Sequence, residues 1–257
     1  MRNVRTLAAK EIRSLFVSPI AYVVLTGYLL LGGWLFFNLL FQFDAMVGLY
    51  DTTRSVQDLD TLNLNERVIA PLLQDLIILL VIMVPFITMR SFAEEKRNGT
   101  YELLLTSPLT VTELVLGKYL GCLFFLAVMI LAAAIYPAIL LIYGDPEIGA
   151  LVAGYLGLFF IGGVFVAVGV FTSSLTENQI IAAVTCFVIL LLLYVLSWPA
   201  LTSITVAGQV LKYLSVVEHF SVMVQGLIDT RDIFYFLTLI VLCLFLTQRS
   251  VESSRWR

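Results

Sequence analysis

The sequence has little charge for its length. Charged residues make up 13% of its 257 residues and hydrophobic residues 60%, and the mean hydropathy is +1.00. Soluble domains contain about 25% charged and roughly 45–50% apolar residues, so most of this surface must face something other than water. The apolar runs are continuous, unlike the short alternating segments of a membrane β-barrel. The composition therefore predicts an all-α polytopic membrane protein that forms one domain over residues 1–257.

Cysteine and histidine are scarce as well. The three cysteines, Cys122, Cys186 and Cys243, are far apart in apolar runs and have neither a metal-binding spacing nor a disulfide framework. We interpret them as small buried apolar residues. The single histidine, His219, follows Glu218, but neighbours in sequence point apart on a helix. We interpret His219 as a packing residue, and we predict no catalytic, metal or cofactor site in this chain.

Three further absences exclude functional classes. The ATP-binding motif G-x-x-x-x-G-K-[ST] is missing, because Thr112 precedes Gly117-Lys118 where the first glycine should stand. The centres of the apolar runs contain no Asp, Glu, Lys, Arg or His, which argues against an ion-coupled carrier and an intramembrane enzyme. The two halves also lack the repeat that many carriers show. The net charge of −3 comes with no basic surface, so we predict no nucleic-acid partner.

Six segments are apolar over the length that a membrane helix needs, which is about 20 residues. They are Ile20–Phe43, Leu72–Met89, Tyr119–Tyr143, Ala150–Phe171, Ile180–Trp198 and Ile233–Thr247. Lys and Arg number eleven in the loops on one side of these spans and four on the other. The positive-inside rule therefore predicts that both termini are cytoplasmic.

The segments outside the spans have distinct patterns. Residues 1–18 have the pattern of an amphipathic interfacial helix on the inner leaflet, with Lys10 and Arg13 on its polar face and Glu11 on its apolar side. Residues 44–71 form a long, acidic external loop. Residues 199–232 are too polar to span and too apolar for a water-exposed loop, and predict one or two short external re-entrant helices before the last span.

The most turn-rich polar segment is RSFAEEKRNGTYELLLTSP, residues 90–108, between the second and third spans. Asn98-Gly99 predicts the end of a helix, with Gly99 in the left-handed conformation. Thr100 and Glu102 predict the start of a second, short helix, which Ser107-Pro108 ends. The pattern suggests either a capped loop packed on the bilayer or a rigid peg for a cytoplasmic partner, since three consecutive leucines need cover.

Two capping boxes of the form S/T-x-x-E/Q predict helix starts on the cytoplasmic side. One joins Thr110 to Glu113 before the third span. The other joins Thr176 to Gln179 before the fifth span.

The peg and its surroundings resemble a known family. The segment RSFAEEKRNGTYELLLTSPLTVTELVLGKYL resembles the cytoplasmic signature of ABC type-2 transporter permeases, particularly their gliding-motility-associated and copper-enzyme-maturation branch. The resemblance extends to KEIRSLFVSPIAYVV (residues 10–24), SSLTENQIIAA (173–183) and HFSVMVQGLIDTRDIFYF (219–236). It covers nearly the whole chain.

The resemblance implies a multi-pass permease subunit of a bacterial inner membrane, which pairs with a second, identical or different, permease subunit. Each subunit docks a separate ATP-binding cassette ATPase, which binds the ATP and Mg²⁺. Residues 90–112 would hold the coupling helix, and its contact residues would be Glu94, Glu95, Arg97, Gly99, Thr100, Glu102, Leu104 and Pro108. Lys10, Glu11 and Arg13 would form a second contact, which offers Glu11 a partner.

Two modes of action fit this assignment. One is export of a substrate driven by the partner ATPase. The other is ATP-driven mechanotransmission to an external, periplasmic auxiliary protein without substrate transport. The spans are uniformly apolar, so the sequence does not identify a substrate. Membrane lipid is expected to surround the spans.

Overall fold

The computed structural model describes residues 2–53, 63–102, 109–144, 146–196 and 213–254, and these residues are almost entirely helical. No strand occurs in these ranges, which confirms the all-α prediction. A π-helical turn at Asn65–Ile69 precedes α3. The α-helices are α1 (Arg2–Val17), α2 (Pro19–Thr53), α3 (Ala70–Thr88), α4 (Arg90–Arg97), α5 (Val111–Ala133), α6 (Ile135–Tyr143), α7 (Ile148–Leu175), α8 (Gln179–Val195), α9 (Val216–Val224) and α10 (Thr230–Ser254).

Five helical segments are long and apolar enough to cross a membrane. They are Pro19–Tyr50, Asn65–Arg97, Val111–Tyr143, Ile148–Leu175 and Thr230–Ser253, and they contain five of the six predicted spans. The remaining one, residues 180–198, corresponds to α8, which has 17 residues. At 1.5 Å per residue α8 is about 25 Å long, less than the ~30 Å of a hydrocarbon core. Its role as a sixth span therefore stays a prediction.

Helices extend further than the apolar runs indicate. The first membrane-spanning helix, α2, continues to Thr53, ten residues beyond the predicted end at Phe43. The chain is helical again from Asn65, so both ends of the predicted loop 44–71 are helical, and residues 54–62 between them lie outside the described residues. The reason is that backbone hydrogen bonding continues beyond the apolar segment. Hydropathy marks where lipid can cover a helix, not where the helix ends.

A proline separates α5 from α6. Pro137 has no N–H group, so the carbonyl of Ala133, four residues earlier, loses its helical donor. The hydroxyl of Tyr155 on α7 donates to this carbonyl instead, at 3.1 Å. The α5–α6 break at Ala134 is thus closed by a neighbouring helix, as is usual for prolines in membrane helices.

The central element of the bundle is α7. It packs against α3, α5, α8, α9 and α10. Small residues permit these close crossings: a Cβ at Gly162 would be 2.8 Å from Leu126, and one at Gly169 would overlap the Thr88 side chain. Such small-residue contacts are typical of helix packing in membranes, where van der Waals fit replaces the hydrophobic driving force.

The outward faces of the helices are apolar. Trp34, Phe41 and Ile142 are exposed on these faces, together with many other large apolar side chains. Water-soluble proteins rarely expose contiguous apolar surface of this extent. The exposed surface thus fits a bilayer, in agreement with the five membrane-spanning segments.

The bundle has two ends. The α4 end is the one that contains α4 (Arg90–Arg97), and the α9 end is the one that contains α9 (Val216–Val224). At the α4 end, Asn3 of α1 donates to Glu113 of α5, at 3.3 Å. At the same end, the carbonyl of Ser174 accepts from Lys96 of α4, at 2.6 Å, and from Ser250 of α10, at 3.4 Å. The first described helix, α1, therefore begins at the α4 end, and the last one, α10, ends there. This arrangement agrees with termini on one side of the membrane.

Candidate partner-docking site at the α4 end

The N-terminal helix α1 runs alongside the first half of α5 in the same direction. Leu7 lies against Gly117 and Glu11 against Gly121, so close that a Cβ on either glycine would be 2.7 or 2.6 Å from the Cβ of its neighbour. Leu7, on the apolar face of α1, is thus buried against α5. The position of α1 on the inner leaflet stays a prediction.

Lys118 is the centre of a buried ionic cluster between these helices. Its side chain is 1% exposed, and its Nζ donates to Glu11 Oε1 at 2.9 Å and to the carbonyl of Ser91 at 2.5 Å. It also forms an ion pair with Glu95 Oε2 at 2.7 Å, and Lys10 lies 3.6 Å from the other oxygen of Glu95. A buried charge persists only when it is paired and hydrogen-bonded. Within the chain, Glu11 is therefore paired with Lys118.

Arg90 of α4 links this helix to the junction of α1 and α2. The guanidinium of Arg90 donates to both carboxylate oxygens of Glu94, at 2.8 and 2.9 Å. It also donates to the hydroxyl of Ser18, the residue that separates α1 from α2. A bidentate arginine–carboxylate pair fixes geometry better than a single contact does.

Ser173 of α7 holds the start of α4. A break at Met89 separates α3 from α4, which leaves backbone groups without helical partners. The Ser173 hydroxyl accepts from the N–H groups of Phe92, at 3.0 Å, and Ala93, at 3.2 Å, and donates to the carbonyl of Met89 at 3.0 Å. One buried hydroxyl therefore joins α3, α4 and α7.

The turn after α4 confirms the predicted helix stop. Gly99 has a φ of +69°, and its N–H donates to the carbonyl of Lys96 at 3.2 Å. The N–H of Thr100 donates to the carbonyl of Glu95 at 3.1 Å. These two bonds form a Schellman motif, which satisfies the last carbonyls of a helix and needs a left-handed residue.

Comparison with known families identifies the chain. Residues 51–247, more than half of its length, match the family model described as ABC-2 family transporter protein. The chain belongs to the ABC-2 transporter family. It is accordingly a permease component of an ABC transporter, in a family that is normally non-catalytic and works with an ATP-binding cassette ATPase. No curated protein matches the chain.

The structure divides the predicted docking residues of the permease into two groups. The carboxylates of Glu11, Glu94 and Glu95 are bound within the chain. The second group is exposed and consists of Lys10, Arg13, Arg97, Gly99, Thr100 and Glu102. Two further members, Leu104 and Pro108, lie outside the described residues.

One predicted capping box is confirmed and the other is wrong. Before α5, Thr110 accepts from the N–H of Glu113, and the Glu113 carboxylate accepts from the N–H of Thr110, both at 3.2 Å. Before α8, the cap is Asn178, which accepts from the N–H of Ile180 at 2.9 Å. Thr176 instead accepts from the N–H of Asn178 at 3.1 Å, so helix α8 begins two residues later than a Thr176 cap requires.

Sequence reasoning missed the contacts that Lys118 and Arg90 make between helices. Lys118 entered it only in the count of Lys and Arg and in the comparison with an ATP-binding motif. Two local signals were present: a lysine two turns inside an apolar helix, and the pair Gly117 and Gly121, whose G-x-x-x-G spacing is typical of close helix packing.

The α9 end of the permease contains a polar cluster around His219. Nδ1 of His219 lies 2.6 Å from Asp232 Oδ1, and Nε2 lies 2.9 Å from the carbonyl of Tyr213. The imidazole stacks on Tyr235 with ring centroids 4.1 Å apart. Both ring nitrogens are engaged, and the hydroxyl of Ser221 donates to the carbonyl of Glu218 instead, at 2.7 Å. This geometry supports the interpretation of His219 as a packing residue that joins α9 to α10.

The described ranges of the permease contain no group of three or more His, Cys, Asp or Glu side chains placed to hold a metal ion. Of the three cysteines, Cys122 and Cys186 are buried and Cys243 is half-buried.

Proposed function

We propose that the chain is the permease subunit of an exporter-type ABC complex in a bacterial inner membrane, and that a separate ATPase binds at its α4 end. The observation that carries this proposal is the exposed turn 97–100 at the tip of a helix that the rest of the bundle holds firmly. The gliding-motility-associated and copper-enzyme-maturation branch remains our proposed branch. ATP and Mg²⁺ bind the ATPase in this scheme.

The turn has the properties of a surface that transmits force. Its side chains point outward, while α4 behind it is tied to α7 by Ser173, to α5 by Lys118 and to the α1–α2 junction by Arg90. A force on Arg97 or Thr100 therefore moves the membrane-spanning helices and is not absorbed by a flexible loop.

The outer face of α1 extends the proposed docking surface. It forms a shallow depression beside α4, lined by Thr6, Ala9, Lys10, Arg13, Ser14 and Val17. Lys10 and Arg13 are exposed there and give the depression a positive charge. We propose that the ATPase contacts this face together with the exposed turn. Leu104 and Pro108 belong to the same proposed contact.

Six crossings and two cytoplasmic termini belong to the same proposal. The C-terminus of α7 lies at the α4 end, whereas α10 begins at the α9 end, so the chain crosses the bundle between Leu175 and Thr230. Helix α8 is the described helix that can make this crossing, since it packs along α7 and α3 and contacts α9. The excess of Lys and Arg places the α4 end in the cytoplasm.

Reversing the charge of Arg97 should weaken binding of the ATPase. Arg97 is exposed at the end of α4, so Arg97→Glu leaves the buried contacts of α4 intact. A like charge placed in a charged interface costs several kcal/mol, which lowers the amount of ATPase recovered by about tenfold or more. The measurement is co-purification of an ATP-binding cassette protein with the tagged permease in mild detergent, with an ATPase assay on the eluate.

The matched control is Arg231→Glu, which reverses another exposed arginine at the α9 end. This variant should recover the ATPase as the unmodified chain does. Equal recovery with Arg97→Glu and Arg231→Glu would contradict docking at the turn, and the absence of any ATPase from the eluate would contradict the proposed function as a whole.

Cysteines at the two ends of the bundle should react from opposite sides of the membrane. Asn98 is exposed in the turn and Asp229 is exposed between α9 and α10. With the native cysteines replaced by alanine, a membrane-impermeant maleimide should label Asp229→Cys in spheroplasts and Asn98→Cys only after lysis. Labelling of both positions in spheroplasts would overturn the topology. Asp232 is not a suitable labelling position because its side chain is buried.

One observation favours mechanotransmission as the alternative function. Helix α2 has 35 residues and is about 52 Å long, so it extends well beyond a ~30 Å hydrocarbon core. Its last ten residues offer a rigid external surface to an auxiliary protein. An external protein that co-elutes with the ATPase, and that is lost when α2 is shortened after Phe43, would favour this mode over export.

A further inference from the structure

The buried ammonium of Lys118 links its own helix to two others. Lys118 itself belongs to α5, Glu11 to α1, and Ser91 and Glu95 to α4. Its Nζ also lies 5.0 Å from the centre of the Phe92 ring, a cation–π distance. No other described residue ties α1, α4 and α5 together with a single charged atom.

Stability alone does not explain this cluster. Taking charged groups out of water costs several kcal/mol for each ion, and replacing a buried ion pair by apolar residues is often neutral or stabilising. The close fit of α1 on Gly117 and Gly121 already holds these two helices together. What the ionic contacts add is a fixed position, because hydrogen bonds and ion pairs are directional and apolar contacts are not.

Glu95 places the cluster directly behind the docking turn. Its backbone carbonyl accepts from the N–H of Thr100, and its side chain binds Lys118. A displacement of the turn therefore moves the same residue that holds Lys118. Glu11 passes the displacement to α1, whose outer face carries Lys10 and Arg13.

We propose that Lys118 is a positioning residue for ATP coupling, which holds the docking turn, α1 and the start of α5 as one unit that moves rigidly when the ATPase binds ATP. This inference rests on the proposed function. In this role Lys118 keeps the distance between the turn and the outer face of α1 constant while both contact the ATPase.

The test measures whether α1 follows the turn. Spin labels are placed at Arg5 on α1 and Asn98 in the turn, and in a second sample at Asn98 and Gln225 at the α9 end, all exposed positions in a background without native cysteines. Distances are compared between the nucleotide-free complex and the complex trapped with ATP and vanadate. We expect the Asn98–Gln225 distance to shift with nucleotide and the Arg5–Asn98 distance to stay constant.

The decisive variant is Glu11→Gln/Glu95→Gln/Lys118→Met, which removes the three buried charges together and leaves only the exposed Lys10. We expect it to fold, to form a complex with the ATPase, and to match the nucleotide-free Arg5–Asn98 distance of the unmodified chain. The Arg5–Asn98 distance should now shift with nucleotide. A purely structural role of Lys118 would not produce a shift that depends on ATP.

Three results would overturn the inference. They are a nucleotide-dependent Arg5–Asn98 shift in the unmodified chain, a constant Arg5–Asn98 distance in the triple variant, and failure of the triple variant to fold, which would show that the cluster is needed for the fold itself. If no ATPase binds the unmodified chain, the proposed function fails first and the role of Lys118 fails with it.

Discussion

Adding one methyl group at each of Gly117 and Gly121 should release α1 from α5. In Gly117→Ala/Gly121→Ala, the new Cβ atoms would stand 2.7 Å from the Cβ of Leu7 and 2.6 Å from the Cβ of Glu11. A Cβ atom is fixed by its backbone, so the whole of α1 must move to make room. Overpacking costs about 1–3 kcal/mol at each site, and moving α1 also takes Glu11 away from Lys118.

Trypsin cleavage measures this release directly. Its target residues Arg5, Lys10 and Arg13 are exposed on α1, but they lie in a helix that is packed against α5. A helix must open locally before a protease can cut it, and cleavage then follows the population of the open form. A cost of about 3 kcal/mol raises that population on the order of a hundredfold. The N-terminal segment should therefore be lost from the variant far faster than from the unmodified permease.

The matched control is Gly48→Ala/Gly149→Ala, since a Cβ at either position has nothing within 4 Å. Alanine favours a helix over glycine by about 1 kcal/mol, so helix propensity gives no reason for faster cleavage of α1 in either double variant. Only steric contact with α1 predicts faster cleavage. Equal cleavage of the two variants would mean that α1 does not pack on Gly117 and Gly121 in the membrane.

Features set by neighbouring residues could be predicted from the sequence. The turn at Gly99 and the cap at Thr110 each depend on groups no more than five residues apart, so a short segment contains all the information that decides them. The cap of α8 shows the limit of this reasoning. Thr176 and Asn178 are both good capping residues, two positions apart, and the local pattern does not choose between them.

Features set by the tertiary fold could not be predicted. Lys118 and Glu11 are separated by 107 positions, and only the packing of α1 on α5 brings them together. For the same reason Glu94 and Glu95 looked like free surface residues of a polar segment, although Arg90 binds the carboxylate of Glu94 and the buried Lys118 that of Glu95. The position of the turn after α4 was thus readable from the sequence, whereas the separation of the buried from the exposed residues around it was not.

Replacing His219 by alanine should destabilise the permease at its α9 end. Asp232 is buried, its Oδ1 is bound by His219, and its Oδ2 has no hydrogen-bond partner among the described residues. His219→Ala leaves the whole carboxylate unpaired and removes the ring that stacks on Tyr235. Breaking a buried pair by removing one partner costs about 3–5 kcal/mol.

Thermal unfolding of the purified permease in detergent measures this cost. For a chain of this size 1 kcal/mol corresponds to about 2–4 °C, so the midpoint should fall by roughly 6–12 °C or more. The comparison is Arg249→Ala, which breaks the exposed pair between Arg249 and Glu252. Exposed pairs contribute less than about 1 kcal/mol, so this variant should unfold within a few degrees of the unmodified chain.

The double variant His219→Phe/Asp232→Leu separates the charge from the packing. Phenylalanine keeps a ring against Tyr235, and leucine leaves no carboxylate to be buried, so the unpaired charge disappears together with its partner. We expect the double variant to recover most of the midpoint that His219→Ala loses. If it unfolds as early as His219→Ala, the hydrogen bonds to Asp232 and to the carbonyl of Tyr213 hold α9 on α10 by themselves. If His219→Ala unfolds at the midpoint of the unmodified chain, the pair is not formed and the proposed packing at the α9 end is wrong.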